Sequence, residues 1–152
     1  MDTITFKVKP IDMDGKEFPF VDIYINDRNL IDIVSEIELP YATHEGHPDI
    51  AGGYMGLSPN TVFFPSRHFL GGHMAEISDT QKTEIFACGS CGEVGCWPLL
   101  VQISVHENIV VWHDFEQPYR DKDSRVSHWQ YDKLGPFVFD KEQYLSALTR
   151  QQ

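Results

Sequence analysis

The 152-residue sequence has only three cysteines, and all three lie between positions 88 and 96. It also has no excess of positive charge, because 12 lysines and arginines stand against 23 aspartates and glutamates, a formal net charge of −11. A phosphate backbone or an anionic membrane requires a basic face on its partner, so we expect neither nucleic-acid binding nor membrane-surface binding. An acidic surface attracts positively charged ligands and so permits a basic protein partner, although the same charge is also explained by solubility alone.

Long apolar runs are also missing, since no segment approaches the roughly 18 apolar residues of a membrane-spanning helix. The first ten residues, MDTITFKVKP, do not show the basic and then apolar order of a secretory signal. We therefore expect a cytoplasmic protein, in which thiols stay reduced and clustered cysteines indicate metal binding or redox chemistry. There is no internal repeat or Ser/Gly-rich linker, so residues 1–152 are expected to form one domain.

The patterns that are present predict an α+β fold built mainly from antiparallel strands with two helices. Apolar residues alternate in 3–8 and in 21–25 on either side of a turn signal at 14–15, which predicts a hairpin with a long loop. A helix is predicted over about residues 27–38, with Asn26 or Asp27 as its N-cap and Pro40 just beyond its end. Its apolar face is Leu30, Ile33, Val34 and Ile37.

The second half of the chain contains a clearer hairpin. Residues 40–60 are rich in glycine and proline and predict a long loop. Alternating runs at 99–105 and 109–115 predict two strands joined by a turn at 107–108. A terminal helix is predicted over about 140–149, with its first residue as N-cap. One face of the hairpin is apolar, and the other, a predicted solvent or ligand face, carries Gln102, His106, Val111, His113 and Phe115.

The cysteine segment CGSCGEVGCWPLL, residues 88–100, is the most unusual pattern. Cys88 and Cys91 have the spacing of a metal knuckle, and Cys96 is near enough to add a third thiolate. A structural zinc ion is usually four-coordinate, so a fourth ligand is needed; we choose His113, with Asp114, His106 and His128 as alternatives. Two other interpretations stay open. One is a redox-active pair, which a following helix would favour, and the other is a tight turn with small buried side chains.

No converging acid, base and nucleophile can be identified from the sequence. Ser127, His128 and Asp132 are too close together to form a triad by themselves, and no G-x-S-x-G elbow occurs. Aromatic residues mix with arginine late in the chain, which is typical of a binding surface but also of side chains that cover a sheet edge. The candidate binding residues are Trp112, Phe115, Arg120 and Trp129.

Four segments together resemble a group of bacterial proteins of similar length that share CGxxGCWPL and LGPFVFD motifs. They are AGGYMGLSP (51–59), CGEVGCWPLL (91–100), WHDFEQPYR (112–120) and LGPFVFDKEQY (134–144), and the resemblance covers about two-thirds of the chain. No activity is known for that group. The resemblance therefore implies a bacterial, cytoplasmic, single-domain protein, and it implies no catalytic residue or cofactor.

These observations favour a small acidic, non-catalytic binding or interaction protein, with a structural zinc ion as one interpretation of the cysteine cluster. One form of this role is neutralisation of a basic protein, since acidic inhibitors gain association rate by electrostatic steering. The alternative is a small metal-dependent or thiol-based enzyme with its site near the cysteines and His113. The sequence does not decide between the two, and no residue pattern requires a dimer.

Overall fold

A computed structural model describes residues 1–13, 15–71, 81–90 and 96–150, which form two antiparallel sheets and three α-helices. The expected α+β fold with mainly antiparallel strands is confirmed. The strands are β1 (Ile4–Met13), β2 (Lys16–Ile25), β3 (Arg28–Asn29), β4 (Tyr54–Gly56), β5 (Thr83–Cys88), β6 (Leu99–Val105), β7 (Ile109–Glu116) and β8 (Phe137–Asp140). The helices are α1 (Leu30–His44), α2 (Pro59–Val62) and α3 (Lys141–Ala147). Among the described residues, no helix has the length and apolar character needed to span a bilayer.

The first sheet, in the order β1-β2-β3, is a long hairpin with a short third strand. β1 and β2 pair along their whole length, up to Met13 opposite Lys16, so the predicted long loop is wrong. Pro10 and Pro19 lie opposite each other in the hairpin and interrupt the alternation of apolar residues. The sequence pattern therefore did not predict the outer half of either strand.

Helix α1 begins later and ends later than the sequence predicted. Asn26 and Asp27 both have positive φ and form the turn between β2 and β3, so neither caps the helix. The cap is Asn29, whose side chain accepts a hydrogen bond from the backbone N–H of Ile31 at 2.9 Å. The helix continues through Pro40, although an internal proline costs about 3 kcal/mol. Beyond the proline, Ala42 is buried and Tyr41 packs against the core, which favours continuation of the helix.

The second sheet has the order β4-β5-β6-β7-β8, and the predicted hairpin of β6 and β7 lies at its centre. Ile103 lies opposite Trp112 and Val105 opposite Val110, which places the turn where the sequence predicted it. The apolar face is buried except for Val105 at the hairpin end. The predicted loop at 40–60 is wrong in part, because it contains the end of α1, the 3₁₀ turn Pro48–Ile50 and β4.

A β-bulge interrupts the pairing of β6 with β7 near the end of β7. Asp114 has a φ of +55° there, a left-handed conformation that is uncommon outside glycine, asparagine and aspartate. The extra residue shifts the alternation by one position and turns Phe115 into the core. The predicted place of Phe115 on the mixed face is therefore wrong.

The C-terminal helix follows the prediction closely. Asp140 caps α3 by accepting a hydrogen bond from the backbone N–H of Gln143 at 3.1 Å. The Phe139 and Tyr144 rings lie 5.6 Å apart and pin the start of the helix to β8. The amide of Gln143 also donates to the carbonyl of Ile4 at 2.7 Å, which ties α3 to the first sheet.

The two sheets meet at a close backbone approach. The backbone N–H of Val21 in β2 donates to the carbonyl of Leu57 at 2.9 Å, just after β4. A Cβ atom on Gly56 would lie 1.9 Å from the carbonyl oxygen of Val21, so only glycine fits at this crossing. Side chains of both sheets belong to one hydrophobic cluster, which brings α1 close to the segment between β7 and β8.

Candidate functional site

An open cleft of about 950 Å³ lies beside the end of β7. Its walls come from the last residues of β7, from the segment 118–136 that leads to β8, and from Lys82 just before β5. Apart from the 3₁₀ turn Pro118–Arg120, that segment has no regular secondary structure. The volume is in the range of ligand-binding sites, so the cleft is large enough to hold part of another molecule.

The side chains around the cleft are mainly acidic. Five carboxylates face two lysines: Asp114, Glu116, Asp121, Asp123 and Asp132 against Lys82 and Lys122. The Nζ atom of Lys82 lies 3.1 Å from Oε1 of Glu116, so one of the two lysines is paired within the wall. Aromatic rings of Phe115, Trp129 and Tyr131 form the buried base. The cleft therefore favours a cationic ligand that also has apolar surface.

A buried carboxylate on α1 holds the base of the cleft from behind. Glu38 is completely buried and accepts hydrogen bonds from the hydroxyl of Tyr131 at 2.6 Å and from the hydroxyl of Tyr54 at 2.5 Å. The backbone N–H of Gly52 donates to its other oxygen at 2.8 Å. The amide of Gln117 donates to the Tyr54 hydroxyl at 3.1 Å and extends the network to the end of β7. One side chain thus joins α1, β4 and the cleft segment.

Burial sets the protonation of this network. Desolvation raises the pKa of Glu38 above its ordinary value, and the hydrogen bonds from Tyr131, Tyr54 and Gly52 oppose that rise without cancelling it. Burial and the nearby carboxylate raise the pKa of both tyrosines, so both hydroxyls keep their protons and remain donors. Glu38 is therefore the central hydrogen-bond acceptor, and Tyr54, Tyr131 and the Gly52 backbone are the donors around it.

A second carboxylate at the end of α1 holds the outer wall of the cleft. Glu45, whose side chain is 6% exposed, receives the Arg120 Nε–H at 3.1 Å and the indole N–H of Trp129 at 2.7 Å. The hydroxyl of Ser127 also donates to it. Burial tends to raise the pKa of Glu45, but these hydrogen bonds and the positive charge of Arg120 outweigh it and hold the pKa below its ordinary value.

Aromatic and cation–π contacts surround Trp129, which lines the cleft. The guanidinium of Arg120 lies 5.2 Å from the ring centre of Trp97 and 5.5 Å from that of Trp129, within the range of cation–π contacts. Tyr119 stacks on Trp97 with 5.9 Å between ring centres. Tyr41 of α1 stacks on Trp129 at 6.2 Å. Trp129 is therefore held against the end of α1 by stacking on Tyr41 and by its hydrogen bond to Glu45.

The structure separates the four residues that the sequence proposed for binding. Trp112 is fully buried in the core, where its indole N–H donates to the hydroxyl of Tyr144 at 3.1 Å. Phe115 and Trp129 are buried but line the base of the cleft. Arg120 is held by Glu45 and the indole rings. Three of the four therefore build or brace the cleft, and Trp112 supports the sheet beneath it.

The predicted zinc ligands are placed as follows. Cys88 is buried at the end of β5, and Cys96 is exposed shortly before β6. Cys91 lies outside the described residues. Among the described residues, no group of three or more His, Cys, Asp or Glu side chains is arranged so that it could bind a metal ion. The zinc site stays a prediction.

His113 lies on the outer face of the β6–β7 hairpin, opposite Gln102, and forms two side-chain hydrogen bonds there. Its Nε2 atom is 2.9 Å from the hydroxyl oxygen of Ser104 on β6. Its Nδ1 atom is 2.8 Å from Oδ2 of Asp114. The imidazole thus links a hydroxyl on one side to a carboxylate on the other, at the mouth of the cleft.

Sequence analysis did not find Glu38 and Glu45, the two carboxylates that organise the cleft. A signal for the first was present, because Glu38 continues the buried stripe of Leu30 and Val34 at a four-residue spacing. A charged residue in such a stripe requires buried partners. The sequence places Glu45 in a loop, because it predicts that the helix ends before Pro40.

No protein-family model, curated protein or solved structure matches this chain. The functional argument therefore depends on the geometry described above.

Proposed function

We propose that this chain is a cytoplasmic bacterial binding protein whose cleft holds a basic segment of a partner protein. The observation that supports this proposal is an open cleft of about 950 Å³ in which five carboxylates face two lysines. A lysine or arginine side chain entering it would meet carboxylates at the rim and aromatic rings at the base. The net charge of −11 would also accelerate the approach of a basic partner.

The way the cleft is held together supports a binding role. Segment 118–136 has little secondary structure, yet Glu38 anchors its inner side at Tyr131 and Glu45 anchors its outer side at Arg120. A site that is already ordered loses little conformational entropy when a ligand binds, so more of the contact energy appears as affinity.

The experiment is a titration with a peptide of alternating lysine and arginine, with a glycine–serine peptide of equal length as control. The test variant combines Asp121→Asn, Asp123→Asn and Asp132→Asn, which removes three cleft charges without changing side-chain size. A matched variant removes three exposed charges elsewhere through Asp32→Asn, Asp49→Asn and Glu107→Gln.

Each partly exposed charge contact contributes about 0.5–1 kcal/mol, so the cleft variant is expected to bind the basic peptide about 10- to 100-fold more weakly. The matched variant should stay within about twofold at 0.15 M salt, because charges more than a Debye length of about 8 Å away are screened. Equal weakening in both variants would show that the peptide senses net charge alone, and the cleft proposal would be wrong. Absence of saturable binding would also reject it.

A structural zinc ion at Cys88, Cys91 and Cys96 is a second part of the proposal. Cys88 ends β5 and Cys96 precedes β6, and these strands are neighbours in the sheet. An ion bound by these thiolates would fix the connection between the two strands. His113 is already hydrogen-bonded to Ser104 and Asp114, so in this proposal a side chain other than His113 completes the site, and the ion has a structural role.

A further inference from the structure

We propose that Ser104 is an activated nucleophile, with His113 as its general base and Asp114 as the residue that orients the imidazole. The Ser104 hydroxyl oxygen is 2.9 Å from Nε2 of His113, and Nδ1 of the same ring is 2.8 Å from the Asp114 carboxylate. This is the order of contacts that general-base activation of a serine requires: hydroxyl to Nε2, and Nδ1–H to carboxylate. The binding role above needs no bond to be broken, so this inference goes beyond it.

The backbone is shaped to bring the carboxylate to the imidazole. In a regular strand, successive side chains point to opposite faces, so Asp114 would point away from His113. The bulge and the φ of +55° at Asp114 turn its side chain outward, to the same face as His113. Aspartate tolerates this left-handed conformation better than most other residues, so the bulge can bring the carboxylate to the imidazole.

The three side chains are also accessible. His113 is about one-third exposed and Asp114 more than two-thirds exposed. Ser104 is half-buried on the outer face of β6. His113 and Asp114 line the cleft, so a molecule held there lies beside the relay. Ser127 takes no part in it, because its hydroxyl donates to Glu45.

The chemistry is transfer of an acyl group from a carboxylic ester. The Ser104 oxygen forms a bond to the ester carbonyl carbon while its proton passes to Nε2 of His113. The bond from that carbon to the alcohol oxygen then breaks, and the imidazolium returns the proton to the leaving alcohol. Water attacks the acyl-serine, gives one proton to His113, and releases the carboxylic acid as Ser104 recovers its hydrogen.

The test is labelling with a fluorophosphonate probe, in which the Ser104 oxygen displaces fluoride from phosphorus. Modification is followed by peptide mass spectrometry, with the exposed Ser146 on α3 as a control in the same molecule. Ser104 should react at least about 100-fold faster than Ser146, the contribution typical of a general base. His113→Gln, which keeps the size of the side chain but cannot accept the proton, should remove that advantage.

Asp114→Asn tests the orienting residue, because asparagine tolerates a positive φ as aspartate does. It should lower the maximal labelling rate and leave the half-saturating probe concentration unchanged, a split that a general loss of structure would not give. Labelling of Ser104 no faster than Ser146, or an unchanged rate in His113→Gln, would each overturn the proposal.

Discussion

Replacing Glu38 with glutamine tests how the cleft is supported. The carboxylate accepts three hydrogen bonds, two from tyrosine hydroxyls and one from the backbone N–H of Gly52. A glutamine amide has one oxygen and one NH₂ group. If its oxygen faces Tyr54 and Tyr131, as the geometry favours, its NH₂ group meets the N–H of Gly52, and two donors face each other without an acceptor.

The expected cost follows from that single conflict. Leaving a buried donor without a partner costs about 1–3 kcal/mol, while the two tyrosine hydrogen bonds survive in weaker, uncharged form. For a domain of this length, about 1 kcal/mol corresponds to a change of about 2–4 °C in Tm. Glu38→Gln should therefore lower the Tm by about 2–12 °C.

Thermal and urea denaturation measure this change, with Glu36→Gln as the matched control. Glu36 lies on the same helix but is exposed, and its carboxylate pairs with Arg28 at 2.7 Å on the surface. Its loss should stay within about 0.5 kcal/mol. A double-mutant cycle of Glu38→Gln with Tyr131→Phe should give a coupling energy above about 0.5 kcal/mol. If Glu38→Gln costs no more than Glu36→Gln, or if the cycle is additive, the carboxylate does not anchor the cleft.

Three further predictions concern other parts of the molecule. Gly56→Ala should destabilise the protein by about 1–3 kcal/mol in urea denaturation, because the new methyl group would lie 1.9 Å from the Val21 carbonyl oxygen. An unchanged urea midpoint would contradict the close approach of the two sheets at Gly56. The pH dependence of stability should have opposite signs for the two anchors. The loss of unfolding free energy in Glu38→Gln should shrink as pH rises from about 4.5 to the raised pKa of Glu38 in the folded protein. The loss in Glu45→Gln should be complete above pH about 4.5 and should vanish as pH falls through the lowered pKa of Glu45 in the folded protein. Parallel pH profiles for the two variants would contradict both directions. Elemental analysis of protein purified without chelator should find about one zinc per chain with protected thiols, and no metal with three reactive thiols would reject the zinc site.

Local patterns predicted the parts of the fold that depend on local interactions. The β6–β7 hairpin and the Asp140 cap were found because alternation and capping act over a few residues. The continuation of α1 beyond Pro40 depends instead on distant packing, such as the stacking of Tyr41 on Trp129. The bulge at Asp114 was also missed, since no residue type in β7 marks where the alternation shifts.

The cleft could not be predicted in the same way, because its shape depends on contacts between distant parts of the chain. Glu38 and Tyr131 are 93 residues apart, and Glu45 and Trp129 are 84 residues apart. Segment 118–136 carries no period that reveals its path. Aromatic residues beside arginine in that region predicted either a binding surface or the cover of a sheet edge. Only the anchoring carboxylates of α1 explain why the surface is concave.

Because the cleft segment is anchored from α1, the residues that hold it differ from those that are exposed at its rim. The anchors are inward-facing side chains such as Tyr131 and Trp129, whereas Lys122, Asp123, Gln130 and Asp132 are exposed at the rim. Antibody loops divide these tasks in a comparable way on a rigid scaffold. Substitution at these four exposed positions should therefore leave the architecture intact, so the molecule combines a variable rim with a fixed frame.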